Sequence, residues 1–258
     1  MSRKAKAPES YRLRTYRGLA SEDQLVSSYF RLRETDLHIL AKRDVSAEVS
    51  ELASRCRLQI EAYIADHPEF ASSLSPLKQD ILAPPIISSM LDAAIEAGVG
   101  PMAAVAGAVA QSVAAGLLEA GHKEIIVENG GDIYLSRGCD LIVSVYAGAS
   151  PLSNRLGLKI EADRMPLGIC TSSGTVGHSL SFGSADSVTV LADSAFDADA
   201  AATRLGNEVG REGNHEVGIN RALKVARTMG RLRGVLIICG EIIGAEGDVE
   251  LVPLSVSG

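Results

Sequence analysis

The chain has 258 residues, a net charge of −7, 46% hydrophobic and 22% charged residues, a balance that argues against disordered, collagen-like and general nucleic-acid-binding classes. Its side chains are small: there are 25 glycines, no tryptophan and only 4% aromatic residues. A ligand site built from them has few rings for stacking a base or an isoalloxazine and leans on backbone groups instead.

The opening stretch MSRKAKAPESYRLR is basic, with Arg3, Lys4, Lys6, Arg12, Arg14 and Arg17 set against an acidic remainder. It lacks the apolar core of a signal peptide, and no uncharged apolar run of about 18 residues is read elsewhere. The expectation is a cytoplasmic protein without membrane or nucleic-acid partners. A solvated tail leading into a first strand at Tyr11 is the plain reading of the basic cluster, and an anionic partner is the sharper one. SSYFRLRETDLHILA from Ser27 alternates around a polar break at Glu34 to Asp36 and predicts a hairpin. From Ser46 to Ala65, Val49, Leu52, Ala53, Cys56, Ile60 and Tyr63 recur at helical spacing, and His67-Pro68 ends that helix. Pro68, Pro76, Pro84 and Pro85 mark a linker that would divide an N-terminal unit, 1–75, from a core, 76–258, unless the two form one continuous domain.

GPMAAVAGAVAQSVAAGLLEAG from Gly100 predicts a helix, because Ala favours one and Pro101 suits its first turn. Its small residues permit close packing, either in the middle of the fold or across a homo-oligomer. A strand from Glu124, the turn Asn129-Gly130-Gly131-Asp132 and a second strand follow, and Asn-Gly is a hairpin signal that needs no function. Further on come the strand SVTVLA, helices from Ser194 and about Val217, the strand GVLIICG at Gly234, and a glycine turn before DVELVPL. Helix, strand, glycine turn and strand thus occur twice, which suggests an internal duplication. Hairpins with helices grouped between them predict an α+β fold.

The densest polar motif is GICTSSGTVGHSLSFG, residues 168–183. Thr171, Ser172, Ser173, Gly174 and Thr175 offer hydroxyls and close backbone approach for a phosphate, although no Gly-Lys-Ser/Thr follows as in a P-loop. His178, between Gly177 and Ser179, is a candidate general acid/base or phosphate contact, while a lone histidine is commonly structural. Ser194 with Asp197 three residues on predicts a capping box with Asp in place of Glu. Asp199 and Thr203 share the next helix face, and a carboxylate beside a hydroxyl suits Mg²⁺. The plainer reading is that Asp197 and Asp199 complement the helix dipole. Cys56, Cys139, Cys170 and Cys239 form no Cys-x-x-Cys pair and read as reduced thiols, with Cys170 the candidate for sulfur chemistry beside the hydroxyl-rich loop.

Ala198-Asp199-Ala200 followed by Thr203, after the strand at 187–190, resembles the Ala-Asp-Ala-x-Ala-Thr motif of the ApbE flavin transferase superfamily. Asn129-Gly130-Gly131-Asp132 resembles its Asn-x-Gly-Gly-Asp/Glu signature. GPMAAVAGAVA, VENGGDIYL and GICTSSGTVGHSLSFG together resemble an ApbE-related branch of that superfamily, over roughly residues 85–253. The resemblance implies a T-fold-like α+β architecture with duplicated helix and antiparallel-sheet units. It implies FAD or FMN and Mg²⁺ as cofactors, Asp199 and Thr203 as metal ligands, the Asn129 to Asp132 turn facing the flavin or its phosphates, and His178 as the catalytic histidine. In the flavin transferases Mg²⁺ helps cleave FAD, and FMN is joined through a phosphoester to an acceptor protein.

Two positions depart from that pattern. The His-x-x-Asp-Pro run is matched here by His178-Ser179-Leu180-Ser181-Phe182, without the acid, and the Gly-Ile-Ala-Lys-Gly-Tyr segment by Ala104 to Ala108, with Ala106 where Lys stands. The expectation is therefore a protein that binds a small phosphate-containing ligand, flavin or nucleotide, rather than one that carries out FAD-cleaving FMN transfer. The branch is also associated with homocysteine synthesis in sulfur assimilation, which makes a sulfur-assimilation factor using Cys170 the alternative. A non-enzymatic homo-oligomeric assembly protein is the third reading.

Overall fold

Strand β1 (Val26–Leu32) turns at Arg33, which adopts φ 53, and returns as β2 (Thr35–Ala41) in the expected hairpin. The computed structural model describes residues 25–174, 183–210 and 214–254; the expected strand at Tyr11 lies outside them. Helix α1 (Ser46–Asp66) buries Val49, Ala53, Cys56 and Ile60, four of the residues whose spacing predicted it, and ends two positions before Pro68. A short α2 (Glu69–Ser72) follows, and α3 (Pro85–Ala97) begins on a proline and stops at Gly98, whose φ of 70 suits glycine. A 3-10 turn, Pro101–Ala104, leads into α4 (Val105–Glu119).

The remaining elements are β3 (Ile125–Asn129), β4 (Asp132–Ser136), β5 (Leu141–Ser144), β6 (Leu156–Ile160), β7 (Leu167–Ser172), β8 (Ser187–Ala192), α5 (Ala195–Val209), α6 (His215–Ala226), β9 (Leu232–Cys239), β10 (Ile242–Gly247) and β11 (Leu251–Pro253). Among the described residues eight strands form one antiparallel sheet in the order β1-β2-β3-β4-β7-β8-β9-β10, and β11-β6-β5 form a smaller one. The fold is α+β. Its topology repeats: a hairpin, a group of helices and a second hairpin run from β1 to β4 and again from β7 to β10, and the halves join where β4 pairs with β7. The sequence pattern exposed only the second part of each unit, since the opening hairpins carry no shared glycine turn.

The helices cover one face of the large sheet, where Leu37, Val127, Val190 and Ile237 meet Val113, Leu117 and Ala202. On the other face Leu135, Ile169, Leu191 and Leu236 pack with Leu158 and Ile160 of the small sheet. Central strands buried on both sides read as continuous apolar runs, as in Val235 to Cys239, because neither side needs polar residues. Helix α4 packs its small residues inside the fold. A Cβ on Gly107 would lie 2.2 Å from the Ala195 carbonyl oxygen, so α4 and α5 approach at backbone distance. The segment Pro101–Glu119 is, contrary to the sequence reading, long and apolar enough to cross a membrane by length and composition, with mean hydropathy 1.6. In the fold its buried side faces β3, β4, α1 and α5, the environment of a core helix.

Candidate active site at the junction of the halves

The β4–β7 seam brings the two best sequence motifs together. The Asn129-Gly130-Gly131-Asp132 turn caps the β3–β4 hairpin, with Gly130 and Gly131 at φ 71 and 116, conformations that a two-residue turn of this hand demands. Among the described residues no heavy atom lies within 4 Å of a Cβ built at either glycine, so the turn's backbone is uncovered by them. Asn129 is buried; its Nδ2 donates to the Ala106 carbonyl at 3.1 Å, and its Oδ1 accepts from the Asp36 N–H at 3.4 Å. The turn is thereby tied to the start of α4.

Asp132 faces the helices and is buried, with Oδ1 accepting the Thr171 N–H at 3.2 Å. Burial pushes its carboxyl up to about 7, against the lowering influence of the Thr171 N–H and the Cys170 thiol. Asp199, on α5, places Oδ2 2.8 Å from the Gly107 N–H in the first turn of α4. Burial, and next the neighbouring Asp132, hold the Asp199 carboxyl well above the usual carboxylate range. The Asp132 charge, from one half, thus hinders ionisation of Asp199, from the other, while Asp132 itself is raised by burial and then by the charge of Glu128. Thr203 lies one turn further along α5 and is partly exposed.

Asp199 also acts as a cap for α4, whose N-cap residue, Ala104, has no side chain able to do so. The expected Ser194–Asp197 capping box does not form. Instead Gln111 Oε1, from α4, accepts the Ala195 N–H at 2.6 Å and the Ser194 hydroxyl at 3.3 Å, while Asp197 pairs with Arg231 at 3.2 Å. The two helices therefore exchange caps, Gln111 for α5 and Asp199 for α4. Gln111 was absent from the sequence-derived candidates, although a single amide in an apolar helix was a usable signal.

Along β7 the side chains alternate, and this divides the expected phosphate cradle. Thr171 turns its hydroxyl away from the helices to Thr189 Oγ1 at 2.9 Å, leaving only its N–H on the Asp132 side. Ser172 faces the helices beside Cys170; its Oγ is buried without a hydrogen-bond partner among the described residues. Ser173 is partly exposed, and Gly174 packs against Gly183, where a Cβ would meet the Gly183 carbonyl oxygen at 2.1 Å. Thr175 and His178 lie outside the described residues.

Cys170 is fully buried, and its Sγ donates to the Ala195 carbonyl at 3.4 Å. Burial, followed by the charges of Asp132 and Asp199, pushes the thiol well above its ordinary value. These surroundings oppose the accessible thiolate that sulfur relay requires. No group of three His, Cys, Asp or Glu side chains among the described residues is disposed to hold a metal. A hard cation that shares its shell with phosphate oxygens and water needs no third such side chain, and two carboxyls whose ionisation burial opposes are donors whose charge it would offset.

The family model described as AbpE bacteria matches residues 18–238, a span that includes β1 to β8, nearly all of β9 and every residue of the site. The chain belongs to the AbpE bacteria family. A UPF0280 protein of Methanococcus vannielii is 43% identical to this family member over 232 residues, covering 88% of the chain and 92% of the relative. A UPF0280 protein of Methanosarcina acetivorans is 42% identical over 225 residues, 87% of each. Flavin Transferase ApbE from Vibrio cholerae aligns with a TM-score of 0.47 and 16% identity, over 90% of this AbpE bacteria member and 97% of that chain. Pseudomonas stutzeri flavinyl transferase ApbE, apo form, aligns with a TM-score of 0.49 and 11% identity, over 86% and 93%.

Proposed function

We propose that this AbpE bacteria member binds a flavin or nucleotide phosphate together with a divalent cation at the junction of its two halves. The observation that carries the reading is the convergence of Asp132 and Asp199, both with raised affinity for a proton because burial penalises ionisation, helped by the Glu128 charge at Asp132 and by the Asp132 charge at Asp199. A cation of the Mg²⁺ type would take these two carboxylates, with the Thr203 hydroxyl as a further candidate ligand. Bound there, it would neutralise charge on phosphate oxygens. The open backbone of Gly130 and Gly131 would supply N–H groups to the same phosphate, and the Ser172 hydroxyl, without a partner among the described residues, a further hydrogen bond. Thr175 and His178 are proposed to complete the ligand contacts.

The proposal stops short of FAD-cleaving FMN transfer. Ala106 stands where the flavin transferase pattern has Lys, and the His178 run lacks its acid, so two charged groups of that pattern have no counterpart. Titration of the purified protein with FMN and FAD, with and without Mg²⁺ at pH 8, tests the reading through flavin fluorescence. Asp132→Asn and Asp199→Asn are each expected to weaken Mg²⁺-dependent binding by about tenfold to a hundredfold, the range for hydrogen bonds and contacts to a charged group. Flavin binding that is absent, or indifferent to Mg²⁺ and to both substitutions, would sink the reading.

A further inference from the structure

The segment between α2 and α3 presents a surface that the junction site does not use. Ile81 and Leu82, adjacent at the tip of a turn, are 94% and 88% exposed, while most large apolar side chains among the described residues are buried or half-buried. The turn is held in shape. Asp80 Oδ1 accepts the Leu82 N–H at 2.9 Å, the Asp80 carbonyl accepts the Ala83 N–H at 3.2 Å, and Tyr63 donates its hydroxyl to Asp80 Oδ2 at 3.0 Å. Beside this knob, with Ile81 forming part of its wall, lies a groove of about 550 Å³, floored by Phe70, Leu77 and Leu91 and walled also by Tyr63, whose ring stacks on His67 with centroids 4.2 Å apart. Glu69 and Lys78 line the same groove, and neither has an ion-pair partner among the described residues.

We propose that this face joins two copies of the chain across a two-fold axis. Each copy inserts its Ile81–Leu82 knob into the groove of the other, and Lys78 of each meets Glu69 of the other. A two-fold interface needs one patch that is complementary to itself, and this patch holds a projecting apolar pair, an apolar hollow, an unpaired cation and an unpaired anion together. Apolar burial of the knob supplies the affinity; the rim charges set orientation. The preformed turn limits the ordering cost of association. The surface is distinct from the small-residue face of α4, which is already occupied inside the fold, and it is independent of the ligand reading.

Sedimentation equilibrium of the full chain tests the proposal. The expected mass is 54 kDa, twice the 27.0 kDa of one chain. The double substitution Ile81→Asp with Leu82→Asp is expected to raise the dimer dissociation constant at least about a hundredfold, as for a central apolar anchor. Circular dichroism should be unchanged, because both side chains are exposed. Lys78→Glu or Glu69→Lys alone should weaken association about tenfold by opposing like charges, and the two combined should restore it. A wild-type chain that sediments as a monomer at micromolar concentrations overturns the proposal and leaves a different protein as the occupant of the groove. A dimer that survives the Ile81 and Leu82 substitutions uses another face and overturns it equally. Failure of the combined reversal to restore association would refute the Lys78–Glu69 pairing.

Discussion

Replacing Asp132 with Asn isolates the free energy that the junction site holds against folding. The folded-state carboxyl is pushed up to about 7 from an ordinary 3.8, chiefly by burial. A carboxyl whose proton affinity is raised by folding contributes no penalty below about pH 4, where it is protonated in both states. As pH rises from there, the unfolded chain releases the proton first, and stability falls until the folded group also ionises near pH 7. At about 1.4 kcal/mol for each tenfold difference in proton affinity, the full penalty above pH 7 is about 4 kcal/mol as an upper bound, shared in part with Asp199. Asn keeps the acceptor for the Thr171 N–H and has no charge to bury. Asp132→Asn is therefore expected to stabilise the protein by about 2–4 kcal/mol at pH 8 and by about 1 kcal/mol at pH 5. Paired urea melts of variant and wild type at both pH values cancel the contributions of other titrating groups. A variant that is less stable than wild type at pH 8, or whose effect does not change between pH 5 and pH 8, would refute the argument.

Three further outcomes follow from the site. Asp199→Ala should be about 1 kcal/mol less stable than Asp199→Asn, since only Asn keeps an acceptor for the Gly107 N–H; thermal melts of the two variants measure the difference without changing charge between them. Gly107→Ala should cost at least about 2 kcal/mol in the urea midpoint, because the obstructing atom is the Ala195 carbonyl oxygen, which cannot rotate away as a side chain would. With a thiol reagent under native conditions, the partly exposed Cys139 should be modified first and Cys170 only after unfolding, as read by peptide mass spectrometry. Rapid native labelling of Cys170 would restore the sulfur reading.

Local patterns in the chain carried their information faithfully. The spacing of Val49, Ala53, Cys56 and Ile60 marks α1 because each residue's face on a helix depends only on its neighbours within a few turns. Asn129-Gly130-Gly131-Asp132 marks its hairpin for the same reason: positive φ at two successive positions is a property of the turn itself. Asp132 and Asp199 were legible as polar residues in motif positions, one at the start of β4 and one on α5.

What each polar group does was decided elsewhere. Thr171 and Ser172 are neighbours in one motif, yet the pleat of β7 sends the Thr171 hydroxyl to Thr189 and leaves that of Ser172 on the helix side. The Ser194–Asp197 pattern was locally sound, but Gln111 from α4 reached the Ala195 N–H first and Arg231 drew Asp197 away. Asp199 meets Gly107 across 92 residues of sequence, and Asp132 meets the Thr171 N–H across 39. Such partners depend on strand order and on how closely α4 and α5 approach, quantities fixed by the packing of the whole sheet. The chain alone therefore determined where polar groups and turns would fall, whereas only the tertiary structure determined which carboxyls would be buried together and so acquire unusual protonation.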